Sequence, residues 1–174
     1  MAIGHLDADA TFDVVVSTND NALIPALGAG DGTFALGTAI TPGYVNTVAV
    51  GDIDGDGHAD AVGSNPISDD IYLAIGDGSG GLTSGLTLTP AVDSATGLAL
   101  LDLDGDGDRD LVATFQTGGL VRGRNDGVGG FDPVDVTAAP SAFAVVPGDF
   151  DRDGKLDLAV ATFNAPGCSI FMGQ

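Results

Sequence analysis

Gly51-Asp52-Ile53-Asp54-Gly55-Asp56-Gly57-His58-Ala59-Asp60 places carboxylates on alternate residues, turns on a glycine, and closes on a fourth aspartate at the ninth position counted from Asp52. The frame returns as Asp102-Leu103-Asp104-Gly105-Asp106-Gly107-Asp108-Arg109-Asp110 and as Asp149-Phe150-Asp151-Arg152-Asp153-Gly154-Lys155-Leu156-Asp157. A decayed version opens the chain: His5-Leu6-Asp7-Ala8-Asp9-Ala10-Thr11-Phe12-Asp13. The four starts, at 5, 52, 102 and 149, lie 47 to 50 residues apart. A fixed period of that length marks a chain that stacks one supersecondary unit, and about 40–50 residues is the period of propeller blades.

Each loop has the same surroundings. A short apolar run precedes it, as in Val48-Ala49-Val50 and Leu98-Ala99-Leu100, and another follows, as in Leu111-Val112-Ala113 and Leu158-Ala159-Val160-Ala161. A third run comes about ten residues later, as in Ile71-Tyr72-Leu73-Ala74-Ile75. It is closed by a glycine turn such as Gly28-Ala29-Gly30-Asp31-Gly32 or Gly76-Asp77-Gly78-Ser79-Gly80. Runs of four to six residues rich in β-formers suit strands, and Asp-Gly sequences supply the left-handed positions that tight hairpins need. After the turn come an apolar anchor (Phe34, Leu82 or Phe131) and a weaker outer strand, expected at Thr33–Ile40, Leu82–Leu88 and Asp132–Val136. The expected fold is all-β: four-stranded antiparallel meanders acting as β-propeller blades, just under four per chain. The repeats are placed at about 1–43, 44–93, 94–140 and 141–174, the last without its fourth strand.

Composition agrees with this pattern. The 174 residues include 28 Gly and 8 Pro, punctuation for many short strands rather than long helices. All 25 acidic residues are Asp, and with five basic residues the formal charge is −20. Aspartate is the shorter carboxylate, suited to tight turns and compact cation cages. The charge opposes contact with nucleic acid or anionic membranes, and no apolar stretch is long enough to span a bilayer. Cys168 is the single cysteine, so no internal disulfide forms, and it is expected to pack as a small apolar residue.

The loop chemistry points to calcium. Ca²⁺ takes six to eight hard oxygens at about 2.3–2.6 Å, and alternating carboxylates in a curling loop converge on one point. The residue at position 7 varies (His58, Asp108, Lys155), as expected if only its carbonyl faces inward. An EF-hand would need a bidentate Glu at position 12, where Gly63, Ala113 and Val160 stand. Zinc lacks Cys or His ligands at suitable spacing. In the first loop His5 replaces an aspartate and Ala10 the turn glycine, so that loop is expected to be vestigial.

Strand, D-x-D-x-D-G-x-x-D loop, two further strands, Gly-Asp-Gly turn and phenylalanine together resemble the FG-GAP (VCBS) repeat, the calcium-loop blade of integrin α-chain propellers and of some fungal and bacterial lectins. The resemblance covers nearly the whole chain and implies that each calcium loop joins a blade's first and second strands. It implies three ligand sets. They are Asp52, Asp54, Asp56, the His58 carbonyl and Asp60; Asp102, Asp104, Asp106, the Asp108 carbonyl and Asp110; and Asp149, Asp151, Asp153, the Lys155 carbonyl and Asp157. A weaker fourth set would be Asp7, Asp9, the Thr11 carbonyl and Asp13.

The motifs bear on three function classes. A calcium-rigidified scaffold accounts for every motif, since metal binding free energy is folding free energy. A carbohydrate-binding or adhesion module is the alternative, though the chain has no Trp and only Tyr44 and Tyr72 as polar aromatics. An enzyme is not expected: both histidines sit in the loops, Lys155 is the only lysine, and no nucleophile–base constellation remains. Related propellers usually close with seven or eight blades, so the chain is expected to self-associate as a homodimer or to belong to a longer propeller. An extracellular or cell-surface setting is expected, although Met1-Ala2-Ile3-Gly4-His5 has no signal-peptide character.

Overall fold

The computed structural model describes residues 1–89, 95–117, 119–137, 141–163 and 167–173. The repeat boundaries expected at 93/94, 140 and 174 lie outside those residues. Among the described residues there are fifteen strands in four antiparallel sheets, and no helix. The first sheet runs β1 (Ala2–Gly4), β2 (Asp13–Ser17), β3 (Leu23–Gly28), β4 (Phe34–Leu36) in chain order. The second is β5 (Thr47–Gly51), β6 (Asp60–Asn65), β7 (Asp70–Gly76), β8 (Leu82–Leu88). The third is β9 (Ala95–Leu101), β10 (Asp110–Phe115), β11 (Gly119–Asn125), β12 (Phe131–Thr137). The fourth has three strands: β13 (Ala142–Gly148), β14 (Asp157–Thr162) and β15 (Cys168–Phe171).

Every aspartate loop joins the first two strands of its sheet. The sheets stack in chain order, and their first strands β1, β5, β9 and β13 are successive neighbours. No comparable packing joins β13 back to β1 among the described residues, so the four sheets form an open arc. Three apolar cores fill the three seams. Leu6, Val15 and Leu23 of the first sheet meet Val45, Val48 and Ala61 of the second. Ile53, Val62 and Leu73 meet Leu111, Ala113 and Phe115, and Leu101, Val112 and Leu120 meet Val145, Leu158 and Val160. Period-two alternation sends one set of side chains to the preceding seam and the other to the following one.

One outer strand is shorter than its sequence suggests. Thr33–Ile40 was expected, but β4 covers only Phe34–Leu36. The cause is Pro25 in β3: its carbonyl accepts Gly37 N–H at 2.8 Å, but it has no N–H to return. Pairing resumes only as an isolated bridge, with Leu23 and Ile40 exchanging bonds of 2.9 and 3.0 Å.

A buried carboxylate ties each loop to its sheet. Asp60 Oδ2 accepts Ile53 N–H at 2.7 Å and its Oδ1 accepts Gly76 N–H, at the end of β7, at 2.7 Å. Asp110 does the same with Leu103 and Asn125, Asp157 with Phe150 and Gly173, and Asp13 with Leu6 and Gly28, all at 2.7–2.9 Å. All four aspartates are buried. The third strand's end passes so close to the loop that a Cβ on Gly28, Gly76 or Gly173 would run into the carbonyl of Phe12, Ala59 or Leu156. Asn125 meets the same crowding differently, donating its side-chain Nδ2 to the Arg109 carbonyl at 3.0 Å.

Asp13 therefore has a structural task independent of any ion. Asp13→Ala should destabilise the protein by about 3 kcal/mol or more, the loss of two hydrogen bonds to a buried charge. Thermal or urea unfolding should give the same loss in calcium and in chelator.

Candidate metal centres

In three loops the carboxylates at positions 1, 3 and 9 converge: Asp52, Asp54 and Asp60; Asp102, Asp104 and Asp110; Asp149, Asp151 and Asp157. In each group one oxygen per residue lies within 4.8 Å of the others. Ligands on opposite sides of a calcium ion would be about 4.6–5.2 Å apart, twice the metal–oxygen distance. The donor set therefore fits a hard divalent cation, and each group could hold one.

The loop is wound around its first aspartate. Asp52 accepts Gly55 N–H at 2.9 Å on Oδ1 and Gly57 N–H at 3.0 Å on Oδ2. Asp102 holds Gly105 and Gly107 the same way, and Asp149 holds Arg152 and Gly154. This winding needs left-handed backbone at two positions, the fourth as well as the sixth. Gly55 and Gly57 have φ of 75° and 87°, Gly105 and Gly107 83° and 100°, and Arg152 and Gly154 66° and 90°. Sequence reading recognised only position 6. Gly55 and Gly105 carried the signal for position 4, and Arg152 masked it in the third copy.

Asp56, Asp106 and Asp153, at position 5, stand outside the converging groups. Each instead accepts the position-7 N–H on Oδ1, from His58, Asp108 and Lys155 at 2.8, 2.9 and 2.9 Å. The His58 and Asp108 side chains turn toward their own sheet's glycine turn. A Cβ on Gly78 would strike the His58 ring, and one on Gly127 the Asp108 carboxylate.

The first loop is built differently. His5 Nδ1 lies 2.7 Å from the Thr11 carbonyl oxygen, the atom expected as a ligand, and the imidazole stacks on Phe12 at 4.6 Å. Asp9 Oδ1 accepts both the N–H and the hydroxyl of Thr11, at 2.7 and 2.6 Å, and the hydroxyl bond chiefly lowers the Asp9 pKa. Neither Ala8 nor Ala10 takes a positive φ, so no left-handed strain falls on the residue that replaces the turn glycine. Asp7, Asp9 and Asp13 form no converging group among the described residues.

The sequence matches the FG-GAP-like repeat family over residues 5–63 and 102–160, each match spanning two consecutive loops. The chain belongs to the FG-GAP-like repeat family. No curated protein matches it. A crystal structure of BBS1N in complex with ARL6DN, soaked with lead, is similar in fold, with a TM-score of 0.63 at 15% identity. The similarity covers 92% of this chain and 45% of that one, a β-propeller, so the chain spans less than half its length.

Two features set the electrostatics of these FG-GAP loops. Burial raises the Asp60 and Asp110 pKa values, and the neighbouring carboxylates Asp54, or Asp104 and Asp106, add to the rise. A cation would relieve that repulsion. At Asp157 the N–H groups of Gly173 and Phe150 prevail instead and lower the pKa. Arg124 reaches across from β11, its Nε 2.8 Å from Asp104 Oδ2, and places a positive charge beside the third-sheet loop.

Arg152 is the loop residue most at odds with its backbone. Arg152→Gly should remove about 1 kcal/mol of left-handed strain. The variant's melting temperature should rise in chelator, and its calcium affinity should be equal or higher by calorimetry.

Proposed function

We propose that this chain is a non-enzymatic, calcium-rigidified β-propeller scaffold. The observation that carries the proposal is the convergence of three carboxylates in each of three loops, repeated on the period of the sheets. FG-GAP membership and the likeness to a propeller chain support the blade reading. Calcium suits the all-oxygen donor set better than zinc, and a cage of three or more carboxylates suits it better than magnesium, which binds through one or two and keeps its waters.

Asp52, Asp54 and Asp60, with their counterparts Asp102, Asp104, Asp110 and Asp149, Asp151, Asp157, supply the core of each site. Asp56, Asp106 and Asp153 flank it with the oxygen their turn does not use, and the carbonyls of His58, Asp108 and Lys155 complete it. The ion supplies charge neutralisation and fixes each loop against its sheet; no chemistry on a substrate is assigned to it. Open sites of this kind match the high calcium levels outside cells, consistent with an extracellular or cell-surface setting.

Calorimetry should find three calcium ions per chain, and the melting temperature should rise with free calcium as linkage requires. In chelator it should fall by about ten degrees or more, given about 2–8 °C per kcal/mol for domains between 60 and 250 residues. Identical melting curves in calcium and in chelator would refute the proposal. Asp104→Ala should cost one ion or most of its affinity, whereas Asp108→Ala, which leaves the carbonyl in place, should retain all three. Equal losses would overturn the assignment of position 7.

A further inference from the structure

The two ends of the arc expose faces that every internal seam buries. On the fourth sheet, Val146, Ala159 and Ile170 stand side by side across β13, β14 and β15, with Ala144, Ala161 and Cys168 in the next row but one. Ile170 is 53% exposed, whereas Leu73, its equivalent on the second sheet, is 3% exposed beneath the third sheet. Phe150, at loop position 2, is 48% exposed; its equivalent Ile53 is 1% exposed. The outer face of the first sheet shows the converse. Ile3, Val14, Ala26 and Leu36 share one row, and Phe34 is 51% exposed where its equivalent Leu82 is 5%.

We propose that these two faces mate head to tail between two copies of the chain, closing a two-fold ring of eight blades. The internal seams identify the occupant. Whatever covers the fourth sheet must do what the third sheet does for the second, and the first sheet's outer face is the repeat-equivalent surface. Hydrogen bonding agrees. At the first two internal seams the position-2 carbonyl of one loop accepts a bond from the next sheet: Leu6 O from Gly80 N–H at 3.0 Å, and Ile53 O from Asn125 Nδ2 at 2.7 Å. Phe150 carries the corresponding carbonyl at the arc's end, and Gly32 holds the place of Gly80 at its beginning. Closed assemblies of identical chains are most often two-fold, and two open arcs of four sheets give eight blades. The mating rows are apolar, so the −20 charge of each chain is carried elsewhere and acts as long-range repulsion, which ions in the loops reduce.

The inference rests on the blade reading but not on the identity of the metal. Light scattering in calcium buffer at micromolar concentration should give twice the 17.2 kDa chain mass. Ile170→Asp and Ile3→Asp, each on an exposed face, should both give the single-chain mass, while Val128→Asp, exposed on the third sheet's turn, should leave the dimer intact. The Cys168 thiol should react with Ellman's reagent several-fold more slowly in the dimer, and Ile3→Asp should restore the fast rate. That last effect separates head-to-tail mating from like-to-like pairing, because Ile3 and Cys168 lie at opposite ends of one chain. A single-chain mass for the unaltered protein, an open-ended larger assembly, or a dimer that survives both substitutions would overturn the proposal. Calcium-linked melting of the Ile170→Asp monomer is measured separately, so failure of the ring and failure of the calcium reading are distinguishable.

Discussion

A buried carboxylate that accepts two backbone N–H groups holds each repeat together. Asp13, Asp60, Asp110 and Asp157 each join the second residue of a loop to the end of the third strand, across the first residue of the second strand. One side chain thus fixes a hairpin loop to a strand that is not its hairpin partner. The geometry dictates its neighbours. Glutamate would be a methylene too long for the gap, and the strand end passes so close that three of four repeats place glycine there. With the loop fixed, its second residue points into the following seam, where Leu6 and Ile53 are buried. The burial of Leu6 and Ile53 in their seams follows from this bond pair.

The period and the blade-like meander were legible because loop and strands recur four times, and the glycine turn three times, on one period that chance does not reproduce. The double duty of position 9 was not legible. A carboxylate that binds backbone and one that binds metal look alike in sequence, and the distinguishing clue was that Asp13 persists in a loop that has lost its first aspartate and turn glycine. Position 4 was hidden because Arg152 broke the glycine pattern, and β4 was overestimated because the effect of Pro25 falls on the strand beside it, not on its own. The open arc could not be read from local pattern, since closure depends on the angle between sheets.

The exclusive use of aspartate has more than one physical cause. Some carboxylates converge in loops and four clip strands, while others cap the hairpin turns. Asp77 and Asp126 accept the N–H groups of the residues two and four places later, and Asp31 accepts both the N–H and the hydroxyl of Thr33; these bonds lower all three pKa values. Each task requires a carboxylate one methylene from the backbone. Convergence in groups that could hold a metal ion accounts for the clustering of acids, and backbone satisfaction for much of the rest.

The first repeat shows how the loop is held where its aspartates do not converge. There the imidazole of His5 takes the Thr11 carbonyl, Asp9 folds back on Thr11, and the Thr11 hydroxyl shares its one proton between Asp9 Oδ1 and the Gly28 carbonyl, 2.6 and 2.7 Å away. These are internal hydrogen bonds where the other loops gather negative charge, so this loop avoids the repulsion that burdens Asp60 and Asp110. Its seam is also complete within the chain, since Gly80 covers the Leu6 carbonyl. The fourth repeat is the opposite case: it keeps the full aspartate set, yet its Phe150 faces solvent. The arc thus begins with a loop whose carboxylates turn to internal hydrogen bonds and ends with one whose carboxylates converge beside an exposed face.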